Sequence, residues 1–155
     1  MENIASLLKK RNLKIATAES CTGGLIGHTI TNVPGSSYYY EGGVISYSNA
    51  IKMKFLGVNE ETLKKYGAVS EQTAKEMAEG IKNRASVNIG IATTGIAGPG
   101  GGTTEKPVGL VYVALAGNEG TYVKKFNFHG NRGENKKSTC DAAINMLLNY
   151  LEQYD

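Results

Sequence analysis

Two rhythms of apolar and polar positions divide the chain. Ile4, Leu7 and Leu8 share one side of a 3.6-residue repeat, which predicts a helix over residues 2–11 with Asn12 as its stop. Residues 14–18 form a short apolar run that reads as a buried strand, followed by a helix over 22–31. Pro34-Gly35 breaks the chain, and Ser36-Ser-Tyr-Tyr-Tyr40 carries no clear period. Residues 43–48 read as a second strand. Asn49 is placed to cap a short helix through Phe55 that Gly57 ends. Asn59 is placed to cap another, over 60–66, that Gly67 ends. Ser70 opens the clearest interior helix, where Ala74, Met77, Ala78, Ile81 and Ala85 keep helical spacing. Val87, Ile89 and Ile91 alternate with small or polar partners, so 87–94 reads as a strand. Residues 95–102 hold five glycines and one proline and read as a loop. Residues 108–115 are almost wholly apolar, as in a central strand. Gly117-Asn-Glu-Gly120 is a turn into an antiparallel partner over 121–128. Cys140, Ala143, Ile144, Leu147, Leu148 and Leu151 make a long stripe on a C-terminal helix.

Early helices and strands alternate and a hairpin comes late. The pattern predicts one α/β domain over residues 1–155, a mostly parallel sheet covered by helices on both faces. Ligands of such sheets sit beyond the carboxyl ends of the strands. Three groups fall there: Ser20, the stretch from Tyr47 to Lys52, and Thr93-Thr-Gly95.

Composition narrows the classes. The net charge of +3 is small and dispersed, which argues against nucleic acid as a partner. No apolar stretch approaches the ~20 residues of a membrane span, and Met-Glu-Asn-Ile lacks the basic start of a secretory signal. Cys21 and Cys140 have no metal or redox spacing and read as reduced thiols of a cytoplasmic protein. The acids and histidines show no metal-ligand spacing either.

The chemistry gathers at Thr17-Ala-Glu-Ser-Cys-Thr-Gly-Gly24, where a strand turns into a helix and exposes backbone N–H groups. Ser20 there is a cap, an anion contact or a nucleophile. A Gly-x-Ser-x-Gly elbow and a Ser-x-x-Lys pattern are both absent, and the two histidines, His28 and His129, are poorly placed as bases. Lys52 is the best remaining base. An amine does that work only if burial or a nearby cation lowers its pKa from ~10.4 toward ~7–8. Tyr47 relays a proton or holds the amine in this reading. In the competing one, Tyr47 packs in the core and Lys52 is an ordinary surface lysine; spacing alone leaves both open. The Gly-rich loop is either a nest for phosphate or a mobile surface loop. Arg132 is either an anion contact or an exposed helix-start residue.

Several motifs recur together in order: Thr17-Ala-Glu-Ser-Cys-Thr-Gly-Gly24, Ser46-Tyr-Ser-Asn-x-x-Lys52, Leu56-Gly-Val58, Gly67-Ala-Val-Ser70, Thr94-Gly-Ile-Ala-Gly-Pro99 and Glu105-Lys-Pro-Val-Gly109. Over nearly its whole length the chain resembles the CinA C-terminal domain family, in its stand-alone form. The resemblance implies a three-layer α/β/α sandwich and the activity of a nicotinamide-nucleotide amidase. That enzyme hydrolyses the carboxamide of nicotinamide mononucleotide (NMN) to nicotinate mononucleotide and ammonia in pyridine nucleotide salvage. It implies Ser20 as nucleophile and Lys52 and Tyr47 as its activators. Substrate contacts are expected from Cys21, Thr22, Gly23, Gly24, Asn49, Thr94, Gly95, Gly98 and Arg132. The oxyanion is expected on the amides near Cys21, Thr22 and Gly23, with Thr94. No metal or cofactor is called for, and a homo-oligomer is expected. Gly100-Gly-Gly102 departs from relatives that often carry an acid there. The alternative is a non-catalytic nucleotide-binding or competence-related regulatory protein that keeps the pocket.

Overall fold

The computed structural model describes residues 1–154. Its elements are α1 (Glu2–Lys10), β1 (Ile15–Glu19), α2 (Leu25–Thr31), a 3-10 turn (Ser36–Tyr38), β2 (Tyr40–Ile45), α3 (Asn49–Leu56), α4 (Glu60–Tyr66), α5 (Glu71–Arg84), β3 (Ile89–Gly95), β4 (Leu110–Gly117), β5 (Gly120–Asn127) and α6 (Arg132–Gln153). The five strands form one sheet in the order β2-β1-β3-β4-β5. β1 runs parallel to β2 and β3, while β4 is antiparallel to both β3 and β5, so β4 alone runs against the other four. The expected α/β sandwich with a late hairpin is what the chain forms.

The two faces of the sheet differ in side-chain size. Ile15, Ile89, Ile91, Val111, Val113 and Leu115 pack with α1, α2 and α6. Ala16, Ala18, Ala92, Ala114 and Ala116 face Met77, Ala78 and Ile81 of α5 and Leu56 of α3. Strand residues alternate faces, so this division was written in the two-residue rhythm. The alanine face lets α5 sit close. A β-carbon on Gly80 would collide with the Leu56 carbonyl, so glycine there seats α3 against α5.

Some boundaries moved. β2 begins at Tyr40 and leaves the sheet after Ser46, whose N–H donates to Glu19 O at 2.8 Å. Ser48, not Asn49, is therefore free to cap α3, accepting from Ile51 N, and Gly57 closes that helix at φ +71°. α2 starts only at Leu25 because Gly23 and Gly24 have φ of +59° and +104°, a left-handed turn rather than a first helical turn. Asn59 makes no side-chain cap; its backbone and side-chain N–H groups both donate to Glu76 at 2.9 Å. The tyrosine run splits. Tyr38 is exposed, Tyr39 is wholly buried, and the Tyr40 hydroxyl meets Thr17 Oγ1 at 2.7 Å. Among the described residues, no helix is long and apolar enough to cross a membrane.

In register, Glu19 lies between Ile45 and Thr93. The last residues of β1 and β2 are thus level with Thr93, two residues before the end of β3, and the residues at these carboxyl ends meet at one rim.

Candidate active site

Ser20 leaves β1 with its N–H donating to Thr93 O at 3.0 Å and its carbonyl accepting from Gly23 N at 3.2 Å. Those two bonds hold the residue at the rim. Lys52 reaches it from the first turns of α3, on the side of that helix shared with buried Leu56. Only 1% of Lys52 is exposed. Its Nζ lies 2.7 Å from Ser46 O, 3.1 Å from Ser20 Oγ and 3.3 Å from Tyr47 O. An ammonium has three hydrogens for three such acceptors. A neutral amine has two, and the two carbonyls can only accept. They hold both remaining N–H bonds and leave the lone pair facing Ser20.

No carboxylate pairs with Lys52 among the described residues. Burial pushes its pKa down to about 8, because a charged amine loses hydration there. The neighbouring Cys21 thiol is pushed up to about 11, again mainly by burial. It is therefore protonated near neutral pH and a poor nucleophile.

The side-chain roles expected of Tyr47 and Lys52 in the core-or-surface alternative are inverted. Lys52 is inside, and Tyr47 is 63% exposed. Tyr47 meets the amine through its backbone carbonyl, while its phenol oxygen accepts from Arg132 Nη2 at 3.2 Å. Arg132 is the first residue of α6 and also donates from Nη1 to Gly98 O at 2.7 Å, so it ties the Gly-rich loop to the Tyr47 side of the rim. Thr94 donates its hydroxyl to Ala68 O at 2.8 Å, and the Gly23 amide is committed to Ser20 O. Neither is a free donor here. The Cys21, Thr22 and Gly24 amides have no acceptor among the described residues. Asn49 stands exposed at the start of α3, and Gly95 ends β3 opposite Val111, where a side chain would strike the β4 backbone.

Lys136 was hidden in the Lys136-Lys137 pair, which reads as a solvated face. Lys137 is that, paired with Asp141 at 2.7 Å on an exposed surface. Lys136 is half-buried and unpaired among the described residues, with Nζ 3.6 Å from where a β-carbon on Gly23 would stand. With Thr22, Gly23, Gly24, His28 and Gly133 it lines a cleft beside the Ser20 turn. Its place one position after Asn135, on the edge of the buried stripe of α6, was the available signal.

The fold and this rim define an α/β sandwich with a buried serine–lysine pair at the carboxyl ends of its parallel strands. The chain belongs to the CinA C-terminal domain family, whose model matches residues 1–151. A Halothermothrix orenii protein named for competence and damage induction is 56% identical over 154 residues, 97% of this chain and 37% of that protein. An Acetivibrio thermocellus protein of the same name is 56% identical over 95% of this chain and 36% of its own length. The chain thus spans little more than a third of these curated relatives. A competence/damage inducible protein from Agrobacterium tumefaciens superposes with a TM-score of 0.94 at 42% identity, covering 97% of this chain and 92% of that one. A CinA superfamily protein from Escherichia coli gives 0.91 at 33%, covering 94% and 85%.

Proposed function

We propose that the chain hydrolyses the carboxamide of nicotinamide mononucleotide. The observation that carries this reading is the 3.1 Å approach of the buried Lys52 amine to Ser20 Oγ. Neutral Lys52 accepts the Ser20 proton as Oγ attacks the carboxamide carbon. The Thr22 and Gly24 amides receive the charge that develops on oxygen. One such donor is typically worth about 3–4 kcal/mol. The proton on Lys52 passes to the leaving nitrogen, ammonia departs, and the same amine then draws a proton from water to release the acid. Tyr47 and Arg132 frame the entrance, and Lys136 meets the phosphate.

Ammonia release distinguishes the candidates. NMN is expected to turn over well above nicotinamide, nicotinamide riboside and NAD. Binding of NMN without ammonia would instead mark a regulatory protein that keeps the pocket. Because Lys52 must be neutral, kcat/KM is expected to rise with pH and level off above about 8, the pKa of Lys52. A profile flat from pH 6 to 9.5 would remove Lys52 as the base.

Lys136→Met tests the phosphate contact. A charge-assisted hydrogen bond is worth about 1.5–3 kcal/mol. The variant is expected to raise KM for NMN about tenfold or more with kcat retained, and to leave the weaker reaction of the riboside unchanged. An equal loss on both substrates would place Lys136 elsewhere in the reaction.

A further inference from the structure

One buried acid has no part in the scheme above. Glu19 is the last residue of β1 and only 2% exposed, and no cation pairs with it among the described residues. Instead its carboxylate collects three donors from the turn that follows. Oε1 accepts from Thr22 Oγ1 at 2.7 Å and from Ile26 N at 2.9 Å, and Oε2 accepts from Gly27 N at 3.0 Å. Gly24, at the cap position of α2, has no side chain to cap with, so an acid five residues upstream does that work. Gly27 leaves room for it, since a β-carbon there would stand 3.5 Å from Oε2 and 2.8 Å from the Tyr40 hydroxyl.

The hydroxyls nearby are fixed in direction as a result. Thr22 Oγ1 lies 2.8 Å from Thr93 Oγ1. Thr22 has one hydrogen and gives it to Glu19, so Thr93 donates to Thr22. The chain Thr93 to Thr22 to Glu19 ties the end of β3 to the turn after Ser20. The amides of Ile26 and Gly27, which a helix start leaves unpaired, are also consumed. The Thr22 and Gly24 amides are left over, with that of Cys21.

We infer that Glu19 is the positioning residue of the nucleophile turn: its carboxylate binds the Thr22 hydroxyl and the α2 amides, and thereby holds the Thr22 and Gly24 amides ready for the oxyanion. It touches neither substrate nor Lys52. The inference rests on the proposed serine chemistry, but not on which amide is the substrate.

A fluorophosphonate probe separates the two. In that reaction the Ser20 Oγ–phosphorus bond forms, the phosphorus–fluorine bond breaks, fluoride leaves and the Ser20 proton goes to Lys52. The probe's P=O oxygen draws on the same donors. Wild type, Glu19→Gln, Thr22→Val and Thr22→Ser are compared for labelling rate, for NMN kinetics and for thermal stability. Loss of one oxyanion donor costs about 10²–10³ in rate, and displacement of the turn is expected to cost about 10- to 100-fold. Glu19→Gln is expected to slow labelling and kcat by that factor, with KM within about twofold and the pH limb near 8 unmoved. Thr22→Val is expected to follow it and Thr22→Ser to restore most of the rate. A folded Glu19→Gln protein labelled at the wild-type rate overturns the inference, as does a loss confined to KM or a displaced pH limb. If Glu19→Gln does not fold, Thr22→Val labelled as fast as Thr22→Ser overturns it. Wild type that is labelled but releases no ammonia from NMN removes the substrate assignment alone.

Discussion

Ser20→Ala is expected to abolish ammonia release from NMN, with a fall in kcat of at least about 10⁴-fold, since removing the nucleophile of a serine hydrolase costs up to about 10⁶. No neighbour can stand in for the lost oxygen. Burial keeps the Cys21 thiol protonated at a pKa of about 11. The Thr22 hydroxyl is given to Glu19 and the Thr94 hydroxyl to Ala68. The fold is expected to survive, because the bonds that hold the turn belong to the Ser20 backbone and not to its side chain. Circular dichroism and thermal melting check the fold, and an ammonia assay checks the turnover. A folded Ser20→Ala protein working at the wild-type rate would end the proposal.

Lys52→Met is expected to lose about 10²–10⁴-fold in kcat, the usual contribution of a general base, and yet to be no less stable than wild type at pH 7. The amine of Lys52 has a pKa of about 8 in the fold and about 10.5 when unfolded. Below pH 8 both states carry the proton, and the cost of burying the charge, about 3 kcal/mol, is present in full. Between pH 8 and 10.5 the folded state releases its proton first, so wild-type stability rises with pH across that window. Methionine fills the volume of the lysine stem without the charge. It also leaves the Ser46 and Tyr47 carbonyls without a donor, which takes back about 1–3 kcal/mol. Urea denaturation at pH 7 and at pH 10 measures both wild type and the variant. Wild type is expected to gain on Lys52→Met between the two. A variant that unfolds at pH 7, or a wild type that gains nothing on it between pH 7 and pH 10, would contradict this account of Lys52.

The sequence carried the architecture well, because the alternation of Ile15 with Ala16 and Ala18, and the spacing of Met77, Ala78 and Ile81, report burial directly. It carried the meeting of Ser20, Lys52 and Thr93 only through the rule about strand ends. What it obscured were cases where an apolar-looking residue is exposed and a charged one buried. Tyr47 and Lys52 exchange places in this way. The clue was the i, i+4 relation of Lys52 to buried Leu56, which a helix of eight residues is too short to display as a stripe. Glu19 was equally hidden. A lone acid in an apolar strand reads as a strand end, and its three donors come from residues 22, 26 and 27, whose geometry depends on two left-handed glycines. Lys136 and Lys137 are indistinguishable in composition and separate only when α6 is laid against the Ser20 turn.

The cradle around Lys52 has one more consequence. Both carbonyls that grip the amine belong to the main chain, so no exchange of side chain at 46 or 47 can delete them. The base is insulated from drift at its nearest neighbours. Its vulnerable point is the short connection that hands the chain from β2 to α3, where a change in path, not in residue identity, would unseat it.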